Sequence, residues 1–189
     1  MKIIALDQST TATGVAIFND GELVTYALIK PKSSKRAKEL VREYDIDKHT
    51  YFLTMPEELY GITIMRSSYI TDTLELIFDK EKPDMVYFEE VFENKNPKAR
   101  NPKGTKSLAR LQGFIAHLCY KQNIPYEIVE ENKWITAWGK YSNRMKREER
   151  KADIMTKVND LYNLNITIND ISDAIGIGRY GVLQNEKEN

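Results

Sequence analysis

The stretch Ile3-Ile4-Ala5-Leu6-Asp7-Gln8-Ser9-Thr10-Thr11-Ala12-Thr13-Gly14-Val15-Ala16-Ile17-Phe18-Asn19-Asp20-Gly21 decides how the chain is read. Ile3 to Leu6 is a short apolar run, suited to a strand buried on both faces. Gly14 to Phe18 and Glu22 to Ile29 flank Asn19-Asp20-Gly21, a hairpin turn because Gly accepts the positive φ that such turns demand. The first three strands therefore read as an antiparallel meander, and Asp7 falls at the end of the first.

Outward from this meander, residues 31–60 are polar and Lys-rich and read as an insertion, with Lys35 to Glu43 open to a helical reading. Ile62, Met65, Tyr69, Ile70, Leu74 and Ile77 recur at helical spacing, and Lys82-Pro83-Asp84 stops that helix. Met85 to Phe88 forms a fourth strand. Asn94 to Gly104, with Pro97 and Pro102 among Asn and Lys, reads as a basic loop. Thr105 to Gln122 is a helix, Pro125 to Val129 a fifth strand, and helices follow near 132–139, 147–162 and 170–183. The order predicts an α/β fold with a mixed five-stranded sheet flanked by helices, in one domain over residues 1–189.

Composition narrows the function. The 189 residues hold one cysteine, Cys119, and two histidines, His49 and His117, which excludes a disulfide framework and any Cys- or His-rich metal centre within one chain. No apolar run approaches the ~20 residues that a membrane span needs. Nothing resembles a signal peptide, so the expectation is a soluble, cytoplasmic protein.

The balance of 28 basic and 28 acidic residues hides segregation. Lys95, Lys98, Arg100, Lys103, Lys106 and Arg110 form one stretch without an acid. Lys140, Arg144, Lys146, Arg147, Arg150 and Lys151 form another with only Glu148 and Glu149. Removing these twelve bases and two acids leaves 16 basic against 26 acidic residues. Such stretches suit a polyanion or are merely solvated.

Four acids stand where burial in a core is awkward: Asp7 and Glu89 at strand ends, and Asp170 and Asp173 on one face at the start of the last helix. If the first and fourth strands are neighbours, the acids converge at one edge of the sheet. An oxygen-only set suits magnesium or manganese rather than zinc. Each acid also has a structural reading: Asp170 as an N-cap, Asp173 beside the positive helix end, Asp7 as the start of a turn, and Glu89 as a solvated acid at a strand end. The turn Asp7-Gln8-Ser9-Thr10-Thr11 also resembles the phosphate-binding turn of actin-like sugar kinases, although that architecture needs two such domains.

Taken together, three segments resemble the RuvC family of Holliday-junction resolvases, within the RNase H-like superfamily. Ile4 to Gly14 resembles the family's first-strand motif. Phe88-Glu89-Glu90-Val91-Phe92 resembles its central motif, in a register that makes Glu89 and not Glu90 the ligand. Asp170-Ile171-Ser172-Asp173-Ala174 resembles its final Asp-x-x-Asp-Ala motif. Asp7 and Glu89 are farther apart than in the bacterial enzymes, and a second insertion is read between Gly139 and Lys151. These departures look phage-type, which would make the compartment a host cytoplasm, and no branch-migration partner is inferred.

The resemblance implies an RNase H-like fold and a divalent-metal-dependent endodeoxyribonuclease that resolves four-way junctions by paired nicks. It implies two magnesium ions per site (manganese being an alternative), held by Asp7, Glu89, Asp170 and Asp173 and bridged by Asp7. Lys151, or Lys146, would neutralise the scissile phosphate. Phe92 would stack on an unpaired base at the junction centre. Lys95, Lys98, Arg100, Lys103, Lys106, Arg110, Arg144, Lys146 and Lys151 would hold the backbone of branched DNA. Paired nicks imply a homodimer, since one chain has one set of acids. A broader debranching nuclease and a non-catalytic nucleic-acid-binding relative are the competing readings. Trp134 and Trp138, four apart, read as core packing.

Overall fold

The computed structural model describes residues 1–91, 101–142 and 145–188. Strands β1 (Lys2–Asp7), β2 (Thr13–Asn19) and β3 (Glu22–Ser34) form the expected antiparallel meander. Its hairpin has φ of 50° at Asp20 and 87° at Gly21, the doubly left-handed backbone that matches the twist of the flanking strands.

The sheet has seven strands rather than five. Residues 31–60 lengthen β3 and add β4 (Val41–Asp45) and β5 (Thr50–Pro56), giving the order β4-β5-β3-β2-β1-β6-β7. The segment read as an irregular insertion, with a helix over Lys35 to Glu43, is thus a sheet extension. Its polarity has a physical cause: β4 is an edge strand, exposed from Val41 to Tyr44, and charged side chains on an edge discourage pairing with other chains. Leu53, Met55 and Pro31 supply the buried positions that bind the extension to the body.

Helices α1 (Glu57–Tyr60) and α2 (Thr63–Glu81) follow β5. At the end of α2, Lys82 takes a left-handed conformation with its N–H donating to the Phe78 carbonyl at 2.8 Å, and Pro83 prevents continuation. Strand β6 (Met85–Glu89) then pairs in parallel with β1. Helix α3 (Pro102–Lys121) begins three residues earlier than the sequence suggested. Asn101 caps it by accepting from the Gly104 N–H at 3.0 Å, and Pro102 fits the first turn. Strand β7 (Tyr126–Val129) and helices α4 (Glu131–Thr136), α5 (Arg147–Tyr162) and α6 (Asn169–Glu188) complete the described chain. None of these helices is long and apolar enough to cross a membrane.

Alternation along β1 divides the core in two. Ile4 and Leu6 join Ile70, Leu74, Phe78, Leu111 and Ile115 beneath α2 and α3. Ile3 and Ala5 join Phe18, Tyr87, Trp134, Ile154 and Ile175 beneath α4, α5 and α6. Cys119 is free and buried in the first of these layers, and burial pushes its thiol up to about 12.

Glycines on both sides let helix α6 pack closely against the sheet. A Cβ on Gly14 of β2 would stand 1.9 Å from the Asp170 carbonyl oxygen, and one on Gly178 of α6 would stand 2.2 Å from the Phe18 ring. Gly14→Ala should therefore displace the start of α6 and lower unfolding free energy by ~1–3 kcal/mol in urea melts. Gly113→Ala is the matched control. Its added methyl meets nothing within 4 Å in the middle of α3, so stability should rise by up to ~1 kcal/mol. Equal effects of the two substitutions would contradict the close approach.

Candidate active site

Asp7 and Glu89 end adjacent parallel strands. The register pairs Leu6 with Phe88, so the two acids are next in line and share the face that carries α6. Glu90, the next residue, is exposed. Beyond the last backbone pair, the Gln8 side chain continues the ladder. Its Oε1 accepts from the Glu89 N–H at 3.1 Å, and its Nε2 donates to the Glu89 carbonyl oxygen. Gln8 is 7 % exposed, so this amide clamps the backbone of Glu89 out of water.

The remaining acids come from α6. Asp170 lies within the first turn and Asp173 one turn on, where it is 4 % exposed. Lys151 of α5 donates from Nζ to Asp173 Oδ2 in a short ion pair, while Asp173 Oδ1 is buried with no hydrogen-bond partner among the described residues. From α4, Trp134 donates its indole N–H to Glu89 Oε1 at 3.0 Å. The tryptophan pair is core, as expected, with Trp138 Nε1 reaching the Gly176 carbonyl at 3.3 Å. Trp134 additionally fixes the Glu89 carboxylate.

Electrostatics follow from burying acids beside acids. Burial drives the Asp7 carboxyl well above its usual range, and Asp173, Glu89 and Asp170 raise it further against the pull of Lys151. Burial also raises Glu89, although the Trp134 hydrogen bond favours its ionised form. Asp170 and Asp173 are raised by burial too, with Lys151 opposing in both. Burial would depress Lys151, but the charge and hydrogen bond of Asp173, with Asp7 behind, hold it above its ordinary value.

The four acids fit a hard divalent cation in chemistry: oxygen donors only, in a site short of positive charge, with one buried carboxylate oxygen unpartnered. Among the described residues, no three acidic, His or Cys groups stand close enough to form a ready-made metal shell. The acids are arranged around Lys151 instead, so a shell shared by three of them requires side-chain rotation.

Other candidates lie farther out. Lys103, Lys106 and Arg110 are exposed along the first half of α3, and Lys146 is exposed at the N-cap of α5, whereas Lys151 pairs with Asp173. Phe92, Lys95, Lys98, Arg100 and Arg144 lie outside the described residues. Sequence reasoning missed Gln8, which looked like a turn residue, and the second role of Trp134. A signal existed for the latter, since a buried indole N–H needs an acceptor.

The raised Asp7 carboxyl has a stability consequence. A group whose folded pKa exceeds its unfolded value contributes fully below the unfolded pKa, near 3.8, and loses that contribution as pH rises through the folded value. Ionised Asp7 is therefore a net cost at neutral pH. Asp7→Asn should raise the melting temperature at pH 7 in EDTA by on the order of 2–4 °C, about 1 kcal/mol for a chain of this size. The gain should vanish near pH 3.5. A variant that melts below wild type at pH 7 would show that Asp7 is not a desolvated acid.

No family model and no curated protein sequence matches the chain, whereas solved structures do. RuvC from Thermus thermophilus in complex with a Holliday junction substrate superposes with a TM-score of 0.65 at 11 % identity, over 98 % of this chain and 96 % of that one. A second Thermus thermophilus RuvC structure gives 0.64 at 12 % identity, over 99 % and 97 %. The yeast mitochondrial Holliday junction resolvase Ydc2 gives 0.51 at 12 % identity, over 98 % and 81 %. At such identities the likeness is one of architecture, and the chain has the α/β RNase H-like fold in its RuvC-like form.

Proposed function

We propose that this chain is a divalent-metal-dependent endodeoxyribonuclease that resolves four-way DNA junctions by paired nicks. The observation that carries the reading is the meeting of Asp7, Glu89, Asp170 and Asp173 with Lys151 at one end of the sheet, from four separate elements. A non-catalytic binder of nucleic acid gains nothing from buried carboxylates that repel phosphate.

Magnesium or manganese ions held by the four acids would activate a water and stabilise the departing 3′ oxygen. The chain's own residues divide the remaining work. Gln8 and Trp134 hold Glu89 in one orientation, so that its donor oxygens need no reorganisation at the moment of reaction. Lys151 carries the positive charge nearest the acids and neutralises the scissile phosphate. Lys103, Lys106 and Arg110, exposed on one helix, hold the backbone by releasing counterions. Phe92 stacks on a base at the junction centre, and Lys95, Lys98, Arg100, Arg144 and Lys146 add backbone contacts. Paired nicks need two such sites, hence a homodimer.

Asp7→Asn, Glu89→Gln, Asp170→Asn and Asp173→Asn should each lower the cleavage rate of a synthetic four-way junction at least ~10²-fold, while junction affinity stays within about tenfold. Glu90→Gln should cleave at close to the wild-type rate. Cleavage by wild type in EDTA, or an inactive Glu90→Gln beside an active Glu89→Gln, would overturn the assignment. Trp134→Phe keeps most of the buried ring and removes one donor from a charged acceptor, worth ~1.5–3 kcal/mol, so a rate loss of roughly 10–100-fold is expected from a folded variant.

A further inference from the structure

The sheet extension supplies none of the acids, yet it continues the surface on which they lie. The registers Asp7↔Gly14, Gly14↔Leu28 and Leu28↔Thr50 form one row across β1, β2, β3 and β5, and the next row on the same face is Lys30↔Phe52. Beyond β2 this face bears a cleft of about 500 Å³, lined by Lys30, His49 and Phe52 on the strand side and by Ile168 and Ile171 at the start of α6.

The cleft is lined by the charged side chains Lys30, Lys48 and Asp47 and by the rings of Tyr26, His49 and Phe52, and the segment that borders it is rich in bases. Lys30 is exposed and makes no ion pair among the described residues, and it lines the same cleft as Ile171, the neighbour of Asp170. The Phe52 ring is half-buried, with the Lys32 ammonium 4.5 Å from its centroid. Over residues 30–48, seven bases (Lys30, Lys32, Lys35, Arg36, Lys38, Arg42, Lys48) stand against four acids (Glu39, Glu43, Asp45, Asp47). Lys32 pairs with Glu43 and Lys48 with Asp45, each at 3.8 Å, and Arg42 pairs with Asp72 at 3.9 Å, so Lys30, Lys35, Arg36 and Lys38 remain against Glu39 and Asp47. Asp47 lines the cleft alongside Lys48.

We infer that this cleft holds the sugar–phosphate backbone of the DNA strand leading away from the scissile phosphate, with Lys30 on a phosphate and the Phe52 ring against a sugar or base. The assignment rests on the nuclease reading and adds to it a contact surface that the catalytic acids do not require. Its spacing is suitable. Strand β3 lies two strands from β1, about 10 Å at 4.7–4.9 Å per strand, so a backbone leaving the acids reaches the cleft within its next few nucleotides.

Binding of a labelled four-way junction in EDTA, measured across a salt series, tests the cleft. Lys30→Ala should weaken binding about 3–10-fold and flatten the slope of log affinity against log salt by ~0.7–0.9, the value of one lost phosphate contact. Phe52→Ala should weaken binding while leaving the slope unchanged. Lys80→Ala, on the exposed surface of α2, should match wild type throughout. Hydroxyl-radical footprints should cover the nucleotides next to the cut in wild type and shrink with Lys30→Glu. Wild-type slope and footprint in both Lys30 variants, from a protein that cuts junctions, would overturn the cleft alone. Failure of wild type to bind or cut junctions would overturn the nuclease reading beneath it.

Discussion

Asp7 and Glu89 are neighbours because β1 and β6 pair in parallel, and everything at the site depends on that pairing. The two residues are separated by helices and by the whole sheet extension, so only a parallel ladder with Leu6 against Phe88 brings their carboxyls to one edge. Such a ladder requires β1 to be buried on both faces, which its unbroken apolar run allows and the two core layers supply. The Gln8 amide closes the ladder where backbone pairing ends. It holds the strand in register at the point where ionised neighbours would drive it apart.

Much of this arrangement was legible beforehand. The hairpin at Asn19-Asp20-Gly21 follows from the need for positive φ, and Ile3 to Leu6 is a doubly buried strand in sequence as in structure. Asp170 and Asp173, three apart on a helix, had to share a face. The sheet extension was not legible because periodicity reports burial, and an edge strand such as β4 has almost none. The early start of α3 was legible in principle, since Asn101 before Pro102 is a cap followed by a residue preset for the first turn. The Gln8 clamp was not. A polar residue after a strand looks like the start of a turn unless its pairing partner across the sheet is known.

The resemblance to RuvC resolvases rested on three short motifs, and the fold now explains why so little sequence was needed. An architecture shared at 11 % identity does not depend on particular core side chains, because many apolar sets fill the same layers. What cannot vary freely is the set of positions where chemistry meets geometry. Gly14 is one. Any side chain there collides with the backbone of Asp170, so the same residue that lets α6 approach β2 also sets how deep that acid sits.

That depth raises a physical question, because four desolvated carboxylates would relieve their repulsion by moving apart. Each is prevented by a different device. Asp7 is held by pairing with Gly14 on one side and by the end of the β1–β6 ladder on the other. Glu89 is held at its backbone by Gln8 and at its carboxylate by Trp134. Asp173 is tied to Lys151, and the backbone of Asp170 is wedged against Gly14. The restraints come from strand pairing, hydrogen bonding, charge and close packing, so the backbones that carry the acids cannot separate and only side-chain rotation is left to form a shared shell. The site therefore keeps its demand for positive charge in the folded state, and Lys151 with a single charge cannot satisfy four acids. An under-neutralised set of oxygen donors, carried on backbones that cannot separate, is what a hard divalent cation draws together most favourably.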